Sequence, residues 1–341
     1  MADVAPSPEI TAAFGVDAPV AAAAAADDVA SAEHPDWDAL ASELAPLLHW
    51  QPRRDVPLAK HTTWHIGGPA ALFVTLDSTA EVQAVLRLLT ERGLPWTVLG
   101  RGSNILAADA GYDGVVLTLG PGLRGSRVDA QAHTITACGG CLLVRIVQQA
   151  QAARLAGLEF QAGIPGTVGA AVVGNVGTAQ DWISGAVDSV ILVRPDGSLT
   201  TVRAAQIDWG YRSSSLRGAG IIVEARFQLQ PGDAATLAAR IQGSLVRRRG
   251  TQPLTQPNAG SVFKNPPGVS VGRMIEELGM KGMRIGDAMV SDVHANFIVN
   301  AGNATAHDVV ALIRQITERV STQRGITLEP EIRFLGSFAS Y

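Results

Sequence analysis

Apolar residues recur along this chain in two rhythms, and each predicts its own kind of element. Where Leu40, Leu44 and Leu48 repeat every fourth position, they predict a short helix capped by Asp36 and distorted near its end by Pro46. The same helical reading applies to 79–92 (stopped by Gly93), to 142–156 and to 234–249. The clearest case is 306–324, which Thr305 and Asp308 open as a capping box and Gly325 closes. Short β-rich runs predict strands over 71–76, 96–99, 111–119, 127–129, 134–137, 187–194, 199–203, 221–229 and 332–335, with short elements at 274–278, 284–285, 288–290 and 297–300. Meanders mixed with short helices point to an α+β fold rather than a doubly wound parallel sheet. The Gln230-Pro231-Gly232-Asp233 turn marks a domain boundary.

Between these elements lie glycine turns. The stretch 157–177, GLEFQAGIPGTVGAAVVGNVG, places Gly163, Gly166 and Gly169 three apart and predicts a tight turn running into a helix with Thr167 as N-cap. Glycines let a ligand approach the backbone, and helix-start N–H groups attract anions such as a diphosphate. A ligand-free connection between packed helices is the competing reading. Gly67-Gly68 and Gly100-Arg101-Gly102-Ser103-Asn104 form two further turns, the second directly after a strand. Ile105 stands where a dinucleotide fingerprint needs its third glycine, and no GxxxxGK[ST] exists. A dinucleotide here would need three separate turns converging on it.

Composition narrows the function. Hydrophobic residues at 47% against 17% charged permit large cores. No Lys or Arg precedes Arg53, and six acids lie within the first 35 residues; the remainder carries 27 basic residues against 25 acidic. That balance offers no field for a nucleic-acid backbone. Residues 1–35 read as a disordered Ala/Asp-rich tail. The Ala21–Ala26 run lacks a basic flank and is too short to span a bilayer, so a cytoplasmic protein with no membrane partner is expected. Cys138 and Cys141 form a CxxC with no second pair for a four-thiolate zinc site and read as small buried residues; no metal is expected.

Three polar residues stand in distinctive contexts: Arg212 in YRSSSLR, Ser261 in NAGSVFKNP, and Glu331 ahead of the last strand. Arginine pairs bidentately with carboxylates, a hydroxyl beside glycine is open to substrate, and a carboxyl can steady an enolate or orient a neighbour. Spacing alone leaves open a turn serine, a surface arginine and an exposed glutamate. The triplet 247–249 is either a helix end favoured by the macrodipole or an anion-attracting surface.

Those motifs, with HTTWHIGGPA, VLGRGSNIL, MRIGDAMVSDVHANFIVN and LEPEIRFLG, resemble the UDP-N-acetylenolpyruvoylglucosamine reductase family in order, from about Pro57 to Gly336. The resemblance implies a two-lobed FAD-binding domain of the PCMH/vanillyl-alcohol-oxidase type over 36–230, with lobes about 36–118 and 119–230. A smaller α+β substrate domain would follow over 231–336, with a tail at 337–341. It implies FAD held by Gly67, Gly68, Gly100, Arg101, Gly102, Ser103 and Asn104 from the first lobe. The second lobe would add Gly163, Ile164, Pro165, Gly166, Thr167, Gly169, Asn175, Gly177 and Ile222. NADPH would reduce the flavin, and UDP-N-acetylglucosamine enolpyruvate would then accept a hydride. Ser261 would donate the proton, Arg212 and Glu331 would hold the enolate, and Arg217, Lys264, Asn265, His294 and Asn296 would bind the nucleotide sugar. A monomer is expected. After Asn175 this chain reads Val176-Gly177-Thr178-Ala179-Gln180 where the family commonly has Ala-Gly-Ala-Tyr-Gly, and Ala170 replaces a frequent glycine. The short link from Arg217 to Ile221 matches the subgroup without a substrate-covering tyrosine loop (type II). An oxidase of the wider FAD-binding superfamily and a non-catalytic nucleotide-sugar binder are the alternatives.

Overall fold

The computed structural model describes residues 35–178 and 180–338. The acidic, Ala-rich stretch before Pro35, Ala179 of the atypical segment and residues 339–341 lie outside the described residues. Asp36 does cap the first helix, Trp37–Leu44, by accepting from the Asp38 and Ala39 amides. Pro46 sits in the 3-10 turn Ala45–Leu47 that ends it, and Leu40, Leu44 and Leu48 are buried.

This helix covers a four-stranded sheet in the order Arg53–Pro57, Pro69–Leu76, Tyr112–Leu119, Trp96–Val98. Its outer pair is antiparallel and its other pairings are parallel. The parallel crossover is supplied by the Thr79–Glu91 helix, whose Val82, Val85, Leu86 and Leu89 are buried on one face. A second, antiparallel sheet runs Leu199–Arg203, Val187–Val193, Ile221–Gln228, Thr134–Cys138, Ser126–Asp129. The helix Leu143–Ala152 packs its buried Ile146, Val147 and Ala150 beside it. That helix is shorter than the 142–156 pattern suggests. Arg154 takes a left-handed φ of 55°, and Leu155–Ala156 leaves to pair with Gln230–Pro231. Mixed helices and sheets of this kind bear out the α+β reading.

The third region joins the helices Val271–Glu277 and Ala306–Arg324 to the three-stranded sheet Arg284–Ile285, Ala288–Val290, Ile298–Asn300. Thr305 and Asp308 form the expected capping box, and Gly325 closes the helix at φ 65°. Its core is not self-contained: Trp64, Ile66, Leu106 and Ala108 from the first region pack with Phe263, Val309 and Ile313. The Trp64 Nε1 donates to the Ile298 carbonyl at 2.8 Å. The last strand, Arg333–Leu335, pairs in parallel with Ile105–Ala107, directly after the Gly100–Asn104 turn. Phe338, which the motif reading leaves in a tail, is buried edge-to-face against Phe334. The C-terminal strand is thereby tied to the first region, and the turn at 100–104 is brought against Glu331. No helix among the described residues is long and apolar enough to cross a membrane.

Candidate active-site cleft

One large cavity of about 1520 Å³ opens between the three regions. Pockets for a single small ligand occupy roughly 300–1,000 Å³, so this one has room for two bound molecules side by side. Two of the three glycine turns line it: Gly100 to Asn104, and Gly163 to Thr167 with Gly169. The first turn is packed closely at its two glycines. A Cβ on Gly100 would lie 2.8 Å from the Thr167 Oγ1, and one on Gly102 2.2 Å from the His61 carbonyl oxygen. Ser103 Oγ donates to the Pro165 carbonyl across the same seam. A third glycine turn that no spacing rule singled out, Gly139-Gly140 in the CxxC, also lines the cleft beside Ile222. Its Cys138 is half-buried and Cys141 buried, and burial pushes both thiols up.

The turn at Gly67–Gly68 is not on the cavity wall. A Cβ on Gly68 would fall 2.1 Å from the Asp109 carbonyl oxygen, and one on Gly67 2.5 Å from the Ala107 Cβ. Their bareness serves close backbone packing. Thr167 does occupy the N-cap of Val168–Val173, but its side chain makes no capping bond. The Val168 and Gly169 amides donate instead to the Cys141 and Gly139 carbonyls. Those two helix-start donors are therefore spent on the neighbouring turn rather than left for an anion.

Positive charge in the cleft comes from side chains. Lys60, Arg53, Arg101 and Arg124 line one part, and Arg212, Arg217, Arg248, Lys264 and Arg333 another, against the two acids Glu329 and Glu331. A nearly neutral chain thus concentrates nine of its 27 basic residues on one surface. Clefts lined by one sign of charge raise the local concentration of oppositely charged ligands. Arg248, from the helix Ala234–Thr251, lies against Gly163 with its Nε buried and without a hydrogen-bond partner. Burial and the Arg212 charge both weaken its hold on its proton. The middle arginine of the triplet thus faces the cleft.

Arg212, Ser261 and Glu331, far apart in sequence, all line this cavity. Arg212 Nε sits 2.9 Å from Glu331 Oε1, a close charge contact without hydrogen-bond alignment. Its Nη1 donates to the Gly177 carbonyl at 2.9 Å. Arg212 adopts a left-handed φ of 55°, and Arg217 Nη2 donates to its carbonyl. Burial pushes the Glu331 carboxyl up, while Arg212 and then Lys264 pull it back. Glu331 is fixed through its backbone: its amide donates to Val262, and its carbonyl accepts from Asn104 Nδ2 at 3.0 Å. The segment following Ser261 pairs with the segment around Glu331, through Phe263 opposite Pro330 and the Lys264 amide on Glu329. Lys264 and Glu329 also form an ion pair on the cleft wall.

Four motif residues do not line this cavity: Asn175, His294 and Asn296 lie behind its wall, and Asn265 is exposed beside it. Asn296, 2% exposed, accepts from the Phe263 amide and donates to its carbonyl, while its own carbonyl accepts from Val262. His294 Nδ1 accepts from the Asn296 amide, and the ring packs on Gly272 and Phe297. Burial holds its pKa below the usual histidine value. Asn265 accepts from the Val271 amide at a helix start. Asn175, buried at φ 40°, donates to the Gly210 carbonyl two residues before Arg212. Asn175 and Asn296 thus support the backbone that carries Arg212 and Ser261.

The chain matches two family models, "FAD binding domain" over residues 70–203 and "UDP-N-acetylenolpyruvoylglucosamine reductase, C-terminal domain" over 252–335. Among curated relatives, the UDP-N-acetylenolpyruvoylglucosamine reductase of Moorella thermoacetica is 44% identical over 301 residues, covering 88% of this chain and 99% of the relative. That of Heliobacterium modesticaldum is 45% identical over 282 residues, 82% and 89% of the two chains. The crystal structure of UDP-N-acetylenolpyruvylglucosamine reductase from Thermus caldophilus superimposes with a TM-score of 0.73 at 36% identity, over 83% of this chain and 99% of that one.

Proposed function

The chain belongs to the UDP-N-acetylenolpyruvoylglucosamine reductases, and we infer from its cleft how its own residues serve that reaction. It is an FAD-dependent enzyme that uses NADPH to convert UDP-N-acetylglucosamine enolpyruvate into UDP-N-acetylmuramate for peptidoglycan synthesis. When bound, FAD would supply the two-electron redox chemistry that links NADPH to the enolpyruvyl group.

The cleft fits such a cofactor on three grounds. Its volume exceeds that of a one-ligand pocket, Gly102 and Gly139 in its turns leave no room for a Cβ, and the buried Nε of Arg248 beside Gly163 lacks a partner that an anionic ligand would provide. Gly100 to Asn104, Gly139-Gly140, Gly163 to Thr167 and Ile222 are the residues that would hold it. The enolpyruvyl nucleotide would face the wall bearing Arg212, Ser261 and Glu331, with Lys264 and Arg217 available to its phosphates. Asn175, His294 and Asn296 act on ligands only through the backbone they support.

Arg212 holds the substrate carboxylate, and Ser261 donates its hydroxyl proton to the carbon next to the hydride-accepting one. The enolate charge that develops meanwhile needs fixed donors. Burial raises the Glu331 carboxyl while Arg212 opposes it, so engagement of Arg212 by the substrate carboxylate shifts Glu331 toward its protonated, donating form. The single observation carrying this reading is the Arg212–Glu331 pair on the wall it shares with Ser261.

Stopped-flow absorbance of the flavin separates the two half-reactions. Ser261→Ala should leave flavin bleaching by NADPH intact and slow recovery of the yellow colour by the enolpyruvyl substrate by about 10²–10⁴-fold. Recovery at the normal rate would remove Ser261 from the mechanism.

The Arg217–Ile221 link is a tight turn with Gly218 and Gly220 at positive φ, which supports the type II assignment. We also propose an FAD-binding part over 36–230 and a substrate part over 231–336, with Arg333–Leu335 crossing between them.

A further inference from the structure

We propose that Trp182 is a positioning residue for Arg212, standing in this chain where the usual family segment after Asn175 is absent. The inference rests on the reading that Arg212 binds the substrate carboxylate.

Residues 176–178 and 181–183, after Asn175, lie side by side as the two arms of a hairpin. Gly177 pairs antiparallel with Trp182, the Thr178 amide donates to the Asp181 carbonyl at 2.8 Å, and the Ile183 amide to Val176 at 3.0 Å. Gly177 is required for it, since a Cβ there would lie 2.2 Å from the Asp181 carbonyl oxygen and 2.8 Å from the Trp182 ring. The hairpin performs two tasks at once. The carbonyl of Gly177 accepts from Arg212 Nη1, and the indole of Trp182 places its ring 5.3 Å from the Arg212 Cζ. Tyr211 packs edge-to-face on Trp182 at 5.4 Å and is itself 5.8 Å from the same Cζ. Gln161, fully buried, anchors the hairpin base by donating to the Val176 carbonyl.

A cation over an aromatic face is attracted by the ring's quadrupole, most strongly for tryptophan and more so when water is excluded. The Arg212 side chain is only one-quarter exposed. Its charge is therefore met from separate directions by Glu331, by a carbonyl and by two rings. When the substrate carboxylate draws on the guanidinium, Glu331 loses part of its hold, but the carbonyl and the indole do not. Trp182 thus keeps the guanidinium where the carboxylate needs it, and its loss releases a long side chain into several rotamers.

The test compares Trp182→Leu, Trp182→Phe and Arg212→Ala in the flavin-loaded enzyme. Trp182→Leu should slow reoxidation by the enolpyruvyl substrate about tenfold and weaken calorimetric affinity for UDP-N-acetylmuramate by a similar factor. Flavin content, melting temperature and reduction by NADPH should stay unchanged. Trp182→Phe, which keeps an aromatic face, should restore most of both losses. Unchanged reoxidation and affinity in Trp182→Leu, or losses that appear only in step with lost flavin and lowered melting temperature, would overturn the proposal. Arg212→Ala separates the two readings: normal turnover there sinks the role of Arg212 itself. Its failure beside an unaffected Trp182→Leu sinks only the role of Trp182.

Discussion

The two sides of the cleft are built by opposite means. On one, Gly102 and Gly139 let backbone lie against backbone, and a Cβ on Gly139 would come within 1.9 Å of the Ile222 carbonyl oxygen. On the other, side chains do the work: Arg212, Ser261 and Glu331 project from segments pinned by Asn175, Asn296 and Asn104. The difference teaches where each wall is fragile. A backbone wall tolerates no added atoms, whereas a side-chain wall depends on a buried polar layer behind it.

Gly139→Ala gives the largest expected break in the backbone wall. The obstructing atom is a carbonyl in the central strand Ile221–Gln228, and the Gly139 carbonyl also accepts from the Gly169 amide. Neither partner can swing aside as a side-chain tip would. A stability loss of about 3 kcal/mol in urea unfolding is expected, with the protein purifying largely without flavin absorbance. Ser261→Ala should show neither effect. Full stability and flavin content in Gly139→Ala would show that the turn is looser than its contacts imply.

The contrast also explains how much could be read beforehand. Local chemistry was legible: Asp36 as a cap, the Thr305–Asp308 box and the closing Gly325 all appear in the fold. The α+β class followed from the same rhythms. The cleft turns at 100–104 and 163–169 were visible as glycine clusters, because close approach needs glycine wherever it occurs. What spacing did not show is non-local. Nothing in a sequence of three residues says that Arg333–Leu335 pairs with Ile105–Ala107, or that Trp64 fills the core beneath the long C-terminal helix. Arg53, Lys60, Arg124 and Arg333 gave no signal as cleft residues, since a lone basic residue on a strand or turn reads as surface. Asn296 and His294 were legible as a motif, but their place behind the wall depends on which way a buried amide faces. The resemblance to a family brought the three chemical residues together; the pairing of 262–264 with 329–331 is the physical reason that two of them share a wall.

A smaller effect is expected from the layer behind the side-chain wall. Asn296→Ala leaves the Phe263 amide and carbonyl buried without their partner, an expected loss of about 2 kcal/mol in urea unfolding. Because Phe263 follows Ser261 by two residues, reoxidation by the enolpyruvyl substrate should slow as well, while bleaching by NADPH does not. Asn296→Asp sharpens the point, as it keeps an acceptor for the Phe263 amide and turns an oxygen toward the Phe263 carbonyl. Normal reoxidation in a destabilised Asn296→Ala would mean that the Ser261 segment holds its shape without this support.

The smallest expected effect depends on pH and belongs to the same layer. Burial, and then the Lys281 charge, lower the pKa of His294 below its ordinary 6.5, and its neutral Nδ1 accepts from the Asn296 amide at 3.1 Å. A group whose folded pKa is depressed in this way takes up its proton first in the unfolded chain. Stability should therefore fall as pH drops below about 6.5, by at most about 1.4 kcal/mol per pH unit from this residue, until the folded state protonates too. His61 shifts in the same direction, through burial and then Arg53 and Lys60, so the wild-type slope is a sum of both. His294→Gln isolates the part that matters. At pH 7.5 the variant should be less stable than wild type, having lost ring packing on Gly272 and Phe297. At pH 5.5 the gap should narrow, because the wild type alone bears the cost of keeping that imidazole neutral. A gap of equal size at both values would mean that protonation at His294 is not coupled to folding, and the layer behind Ser261 would then hold its shape independently of pH.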